Sequence, residues 1–341
     1  MATRWGLCDF GYDPDTQAVI GTAWAQHVRS YGVDLVRLTV TTGINGNMPT
    51  GLFRTALEAY HAAGVTAYAE FSPAFLPTVT ASGMHSNMPL NTTGDTFTSP
   101  WIDGVTLRGE GVARQAIQSG LTMTIWGNES NERALIAPGI VVPPGPKGGA
   151  KAPAVAAAEY WQAASRLRSV GVTSCYNGAL SVLPQTGTDI RNPYYAAWLT
   201  AFYEACAAHG KHAPYPWAGW AVNCEGAWTT AALVKALGVL RGIMTHYGDT
   251  GHIIITEMGW QNGHGIDTAA ADATFSAMDA SEALCAMVFQ GPGSVPYLGD
   301  TALYTDYGCY QWRQNGGTLI PLGDYPWGGY VRKRWATPTP R

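Results

Sequence analysis

Two glutamates lie at the carboxyl-terminal ends of apolar runs that read as buried strands. The run at 121–126 leads into Gly127, Asn128 and Glu129, and the run at 252–256 leads into Glu257. Only 13% of the residues are charged, and a carboxylate that is buried without a partner is costly, so each glutamate needs a partner or a task. Two carboxylates facing one pocket can act as a general acid/base and a nucleophile, the pair that cleavage of a glycosidic bond requires. The alternative is that each is ion-paired at the rim of the fold.

Arg37 is a charged residue within an otherwise apolar strand, in the run Val36-Arg37-Leu38. A guanidinium in such a strand must meet an anion. We expect this anion to be Glu257, and the alternative is a structural ion pair elsewhere.

Aromatic and polar side chains also cluster at the predicted strand ends. The chain has 13 Trp and 17 Tyr, more than a core usually holds, and flat amphipathic rings can stack on sugars. Trp126, Trp228 and above all Trp260 are candidates for that role, although packing is the common role of tryptophan. Asn223 and Glu225 could hydrogen-bond sugar hydroxyls, and an ordinary polar rim is the alternative for Glu225.

Eight apolar, β-branched runs recur along the chain, and helical patterns lie between them. Near-continuous apolar runs are typical of a parallel sheet that is covered on both faces. Glycines close six of the helical segments, where a helix end favours a residue that tolerates the left-handed conformation. The predicted strands are 5–10, 34–40, 65–71, 121–126, 172–179, 218–223, 252–256 and 283–289.

Eight alternating units in 341 residues predict a single (β/α)8 TIM barrel spanning 1–341, because no glycine-rich phosphate fingerprint follows the first strand. Strands four and seven face each other across such a barrel, so Glu129 and Glu257 can share one pocket. Long connections are expected after strands three, four and eight, at 72–101, 131–153 and 290–311. In a barrel the connections that follow strands build the active site.

Composition disfavours several functions. A net charge of -4 with no basic run argues against a nucleic-acid partner, and no apolar run is long enough to cross a membrane. No metal motif such as His-Glu-x-x-His occurs, and no metal or cofactor is expected. The six cysteines include no C-x-x-C, and four of them, Cys8, Cys175, Cys224 and Cys285, lie in or directly after predicted strands, so we expect mostly free thiols. Polar residues stand where a signal peptide has its apolar stretch, so the soluble chain is either cytoplasmic or secreted after its signal is removed.

The motifs around the two glutamates resemble those of the clan of retaining (β/α)8 glycoside hydrolases that includes families 5, 39 and 53. The run Asn128-Glu129-Ser130-Asn131 resembles the clan's Asn-Glu-Pro-Asn motif after strand four, with serine replacing proline. The run from Thr256 to Trp260 resembles its nucleophile motif after strand seven. Arg37 resembles the arginine that supports the nucleophile. The stretch 222–226 departs from the histidine and tyrosine that many members carry after strand six, and 288–290 lacks their tryptophan after strand eight.

The resemblance implies that Glu129 is the general acid/base, Glu257 the ionised nucleophile and Asn128 a hydrogen-bond partner of the sugar 2-hydroxyl. For Asn128, the alternative is a loop amide that pairs with the backbone. We therefore expect a retaining β-glycoside hydrolase, endo-acting on a β-linked polysaccharide, with carbohydrate as its partner. Two alternatives remain: a barrel that binds carbohydrate without cleaving it, and a transglycosylase of the same clan.

Overall fold

A computed structural model of the chain shows eight parallel strands closed into a barrel, with helices packed around it. The barrel strands pair with one another in chain order, and the last pairs with the first. The predicted (β/α)8 barrel is thereby confirmed. The structure describes residues 4–10, 19–40, 50–71, 123–126, 131, 153–169, 171–182, 194–224, 228–258, 268–289, 310–315, 318–324 and 326–336.

Each of the eight predicted strands is present, with ends that differ from the prediction by a few residues. The barrel strands are β1 (Arg4–Phe10), β3 (Leu35–Val40), β4 (Thr66–Phe71), β5 (Met123–Trp126), β6 (Ser174–Ser181), β7 (Gly219–Asn223), β8 (His252–Met258) and β9 (Cys285–Phe289). The predicted fourth and seventh strands are thus β5 and β8. The long connections at 72–101, 131–153 and 290–311 lie outside the described residues, apart from their ends.

Seven helices lie between or after the strands in the described part of the chain. They are α1 (Thr22–Arg29), α2 (Thr50–Ala62), α3 (Pro153–Ser169), α4 (Tyr194–Ala208), α5 (Thr230–His246), α6 (Thr268–Asp279) and α7 (Pro326–Ala336). Five of the six predicted helix-ending glycines have positive φ, as the cap requires, and the sixth lies outside the described residues. None of the described helices is long and apolar enough to cross a membrane.

A small second sheet lies outside the barrel and was not predicted. Strands β10 (Tyr310–Asn315) and β11 (Thr318–Asp324) form an antiparallel hairpin, and β2 (Val19–Ile20) pairs with β11. Ile20 thus belongs to this sheet, and α1 begins only at Thr22.

Hydrophobic residues form two cores, one inside the barrel and one between barrel and helices. Alternation along a strand sends successive side chains to these two layers. In β3, Leu35 belongs to the inner core and Val36 to the outer core, and in β5, Ile125 and Trp126 divide in the same way. The cysteines whose side chains are described are buried and free, as expected; they are Cys175, Cys206, Cys224 and Cys285.

A buried aspartate ties together the amino-terminal end of the barrel. Asp249 accepts hydrogen bonds from the Tyr203 hydroxyl at 2.5 Å, the Trp217 indole at 2.7 Å and the backbone N–H of Gly251 at 2.8 Å. The Trp220 indole donates in turn to Tyr203 at 2.8 Å. Because every polar atom in this group has a partner, the network stabilises the end of the barrel opposite the strand ends that carry the two glutamates.

Candidate active site

An ion pair occupies the centre of the carboxyl-terminal end of the barrel. Arg37 lies two residues after the inward-facing Leu35 on β3 and therefore also points inward, and Glu257 lies near the end of β8. Arg37 Nη2 donates to Glu257 Oε1 at 2.5 Å, and the two side chains are 3% and 8% exposed. The predicted pairing of these residues is therefore present. Two desolvated groups of opposite charge hold each other in a fixed geometry.

A β-bulge immediately before Glu257 sets the level at which its side chain leaves the strand. Val222 pairs with Ile255 and Asn223 pairs with Glu257, so Thr256 is one extra residue on β8. The Thr256 hydroxyl lies 2.9 Å from Asn223 Oδ1 and 3.2 Å from the Val222 carbonyl oxygen, within reach of both acceptors. The extra residue is thus fixed to the neighbouring strand.

A second bulge, on β6, keeps the next strand end at the same level. Gly178 and Ala179 together face the single residue between Trp220 and Val222, and both have positive φ, at 93° and 45°. A Cβ at position 178 would lie 3.0 Å from the Trp220 ring, so glycine suits this close approach. Beyond the bulge, Ser181 pairs with Asn223. Ser181, Asn223 and Glu257 therefore form one transverse row of register partners.

Asn131 extends this row towards β5. Its side-chain Nδ2 donates to the Ser181 carbonyl oxygen at 2.9 Å, and its Oδ1 accepts from the Ser181 N–H at 2.8 Å. Asn131 is 6% exposed and follows the end of β5 by five positions. The chain that carries the predicted acid/base motif is thus attached to β6 at the level of Glu257.

Several glycoside hydrolases of known structure share this architecture. A GH5_18 protein from Streptomyces cattleya in complex with GlcNAc is 17% identical, with 99% of this chain and 82% of that chain covered and a TM-score of 0.63. Fungal β-1,4-galactanases are 14% identical, with 98% and 100% covered and a TM-score of 0.59. A β-glucosidase from Exiguobacterium marinum is 10% identical, with 98% and 97% covered and a TM-score of 0.58. The chain has the barrel fold of these glycoside hydrolases. No family model matches the sequence, and no curated protein matches it either.

Several predicted site residues lie outside the described part of the chain. They are Asn128, Glu129, Glu225 and Trp260. Their proposed roles therefore stay predictions from the sequence. Asn223 is described: it is 1% exposed and contacts Thr256 beside the ion pair.

Two of the three tryptophans proposed to stack on sugars occupy the outer core instead. Trp126 is 1% exposed and alternates with Ile125, which places its ring between the barrel and the helices. Trp228 is 2% exposed, and its indole donates to the Cys224 carbonyl oxygen at 3.1 Å. A ring that is covered on both faces has no free face on which a sugar could stack, so both tryptophans pack in the core. The stacking role predicted for Trp126 and Trp228 is corrected accordingly.

Sequence reasoning did not single out Asn131 or Thr256 as contacts of the site. The only sequence signal for either residue was its position within two residues of a predicted catalytic glutamate. No sequence pattern in the chain predicts a β-bulge, or a side-chain amide that pairs with the end of a strand. Among the described residues, no cluster of three or more His, Cys, Asp or Glu side chains could hold a metal ion.

Proposed function

We propose that this chain is a retaining β-glycoside hydrolase, with Glu257 as nucleophile and Glu129 as general acid/base in one domain spanning 1–341. The observation that carries the proposal is the buried contact of the Glu257 carboxylate with Arg37 at the carboxyl-terminal end of β8. Barrel enzymes perform their chemistry at this end. The glycoside hydrolase neighbours add support at the level of the fold.

We propose different tasks for the two oxygens of Glu257. Arg37 engages Oε1, and no described residue donates a hydrogen bond to Oε2. In the proposed first step, Oε2 attacks the anomeric carbon while Glu129 gives its proton to the departing glycosidic oxygen, which leaves a covalent glycosyl–enzyme ester. In the second step, Glu129 removes a proton from water, the water attacks the same carbon, and Glu257 leaves as the carboxylate. Two inversions return the β configuration.

The sugar contacts are part of the proposal. Asn128 would bind the 2-hydroxyl, Asn223 and Glu225 would bind other hydroxyls, and Trp260 would stack on a sugar face. The aromatic content and the long predicted connections after strands favour an endo-acting enzyme on a β-linked polysaccharide. The neighbours guide the choice of substrates, since they include β-1,4-galactanases, β-glucosidases and a GH5_18 structure in complex with Manβ1-4GlcNAc.

The test is a leaving-group series on nitrophenyl and phenyl β-glucosides, β-galactosides and β-mannosides, followed by the matching polysaccharides. We expect Glu129→Ala to lose about 100-fold or more on phenyl glycosides and far less on dinitrophenyl glycosides, whose leaving group needs little protonation. Azide should partly restore that variant with the dinitrophenyl substrate. Glu58→Ala, which removes an exposed glutamate of α2, is the matched control and should behave as wild type.

Stereochemistry and trapping test the nucleophile separately. Proton NMR should show the β anomer as the first product, and a 2-deoxy-2-fluoro glycoside should label Glu257 covalently. A crystal structure should place the carboxyl groups of Glu129 and Glu257 about 5 to 5.5 Å apart. A first product with the α configuration, or sugar binding without turnover, would contradict the proposal. Transfer to an added sugar acceptor in place of hydrolysis would indicate the transglycosylase.

A further inference from the structure

The Asn131 side chain contacts Ser181 in the way a strand residue contacts its neighbour. One amide of Asn131 both donates to the Ser181 carbonyl oxygen and accepts from the Ser181 N–H, at 2.9 and 2.8 Å. The two bonds satisfy both backbone groups of a residue at a strand end, where the backbone of β5 no longer reaches, since β5 ends at Trp126. A reciprocal pair of this kind fixes both distance and orientation.

The contact between Asn131 and Ser181 lies at the same height along the barrel as the proposed nucleophile. Ser181 is the register partner of Asn223, and Asn223 is the register partner of Glu257. Asn131 therefore meets the barrel in the same transverse row as the proposed nucleophile. Glu129 is two residues before Asn131 in the sequence.

We infer that Asn131 is a positioning residue, which sets the height of the Glu129 carboxyl group relative to Glu257 by attaching its chain segment to Ser181. The inference rests on the proposed function, because it needs Glu129 to be the acid/base. Displacing a catalytic group by about 1 Å can cost 100-fold in rate, so a side chain that determines its height controls protonation of the leaving group. A purely structural asparagine would instead affect all substrates alike.

The experiment compares Asn131→Ala and Asn131→Asp with wild type on phenyl and dinitrophenyl β-glycosides of the sugar that the wild-type chain cleaves. Asn131→Ala removes both bonds, and we expect about 100-fold lower kcat/KM on the phenyl glycoside with less than about threefold loss on the dinitrophenyl glycoside. Asn131→Asp keeps the acceptor for the Ser181 N–H and loses the donor, so an intermediate, about tenfold selective loss is expected.

The matched control is Trp217→Phe, which removes one buried hydrogen bond to Asp249 at the opposite end of the barrel. It should change both substrates equally and by less than about threefold, because distant sites act independently. Hydrogen exchange provides a readout that does not depend on turnover. In Asn131→Ala, protection should fall in peptides covering 127–131 and 178–182, and it should stay unchanged elsewhere.

The outcomes separate this inference from the proposed function. Equal losses on both substrates in Asn131→Ala, or unchanged exchange at 178–182, would overturn the inference even if Glu129→Ala remains selective for poor leaving groups. Loss of that selectivity in Glu129→Ala would overturn the acid/base assignment itself. Selective loss in both Asn131→Ala and Glu129→Ala, with local deprotection in the former, would support the positioning role.

Discussion

Replacing Arg37 by methionine tests whether the buried ion pair holds the proposed nucleophile ready for attack. Met retains much of the apolar stem of arginine but has no charge, so the Glu257 carboxylate loses its counter-charge in a site where the two side chains are 3% and 8% exposed. Removing one partner of such a buried pair costs about 3 to 5 kcal/mol, because the other charge stays desolvated. We expect Glu257→Gln to cost a similar amount for the same reason.

The size of the chain converts this cost into a shift of melting temperature. Unfolding entropy of about 2.1 cal/mol/K per residue gives about 0.7 kcal/mol/K for 341 residues, so each single variant should melt about 4 to 7 °C lower. The double variant Arg37→Met/Glu257→Gln removes both charges of this buried pair. It should melt close to the single variants rather than at the sum of their shifts, with a coupling energy of about 3 kcal/mol.

Thermal and urea denaturation followed by circular dichroism measure the stability of the wild type, the two single variants and the double variant. Turnover per folded molecule measures the catalytic activity of the same four proteins. Arg37→Met should lose at least about 100-fold in kcat, since it removes a charge that orients the nucleophile, and the double variant should stay inactive although it is about as stable as either single variant. Additive melting shifts would show that the two residues are not coupled. Full activity per folded Arg37→Met molecule would show that Arg37 is structural.

Two further predictions concern stability alone. Gly219→Ala should lower the free energy of unfolding by more than about 3 kcal/mol, because φ is 152° and a Cβ would lie 1.9 Å from the backbone of β8. Gly238→Ala has nothing within 4 Å of the new Cβ and should raise the free energy of unfolding by about 0.5 to 1 kcal/mol in urea denaturation. Equal effects of the two substitutions would contradict the steric argument. Alkaline pH should also destabilise the fold, because burial raises the pKa of Tyr176 and of Tyr195 to about 12. As the pH rises, these tyrosines lose their protons in the unfolded chain before they do so in the folded one. The free energy of unfolding is therefore at its full value below about pH 10 and falls by about 1.4 kcal/mol per pH unit per tyrosine above it. An unfolding midpoint that stays constant from about pH 8 to pH 11 would refute this.

The barrel could be predicted because its strands are apolar on both faces. One face of each strand is buried against the helices and the other is buried inside the barrel, so residues on both faces are mostly hydrophobic. The sequence therefore contains nearly continuous hydrophobic stretches, such as those of β3 and β8. The second sheet escaped prediction for the opposite reason. Its β10 strand, Tyr310–Asn315, is mostly polar, and β2 has only two residues, so neither carries a periodic signal.

The ion pair could be predicted because a cation in an apolar strand has few candidate partners, and Glu257 was one of them. The inward and outward alternation could also have placed the Trp126 ring in the outer core, since its neighbour Ile125 faces the barrel interior. The two bulges could not be predicted. They depend on how Gly178 and Thr256 meet adjacent strands, a tertiary contact that the order of residues does not encode locally.

The Asp249 network at the amino-terminal end has a consequence for how such a chain can change during evolution. Its hydrogen bonds lie at the end of the barrel opposite Arg37 and Glu257, so that end is stabilised by residues other than those proposed to do chemistry. Substitutions that alter sugar preference at one end should then add nearly independently to the stability held at the other. In proteins that keep this network, its contribution to stability can offset destabilising substitutions at the binding surface while that surface diversifies.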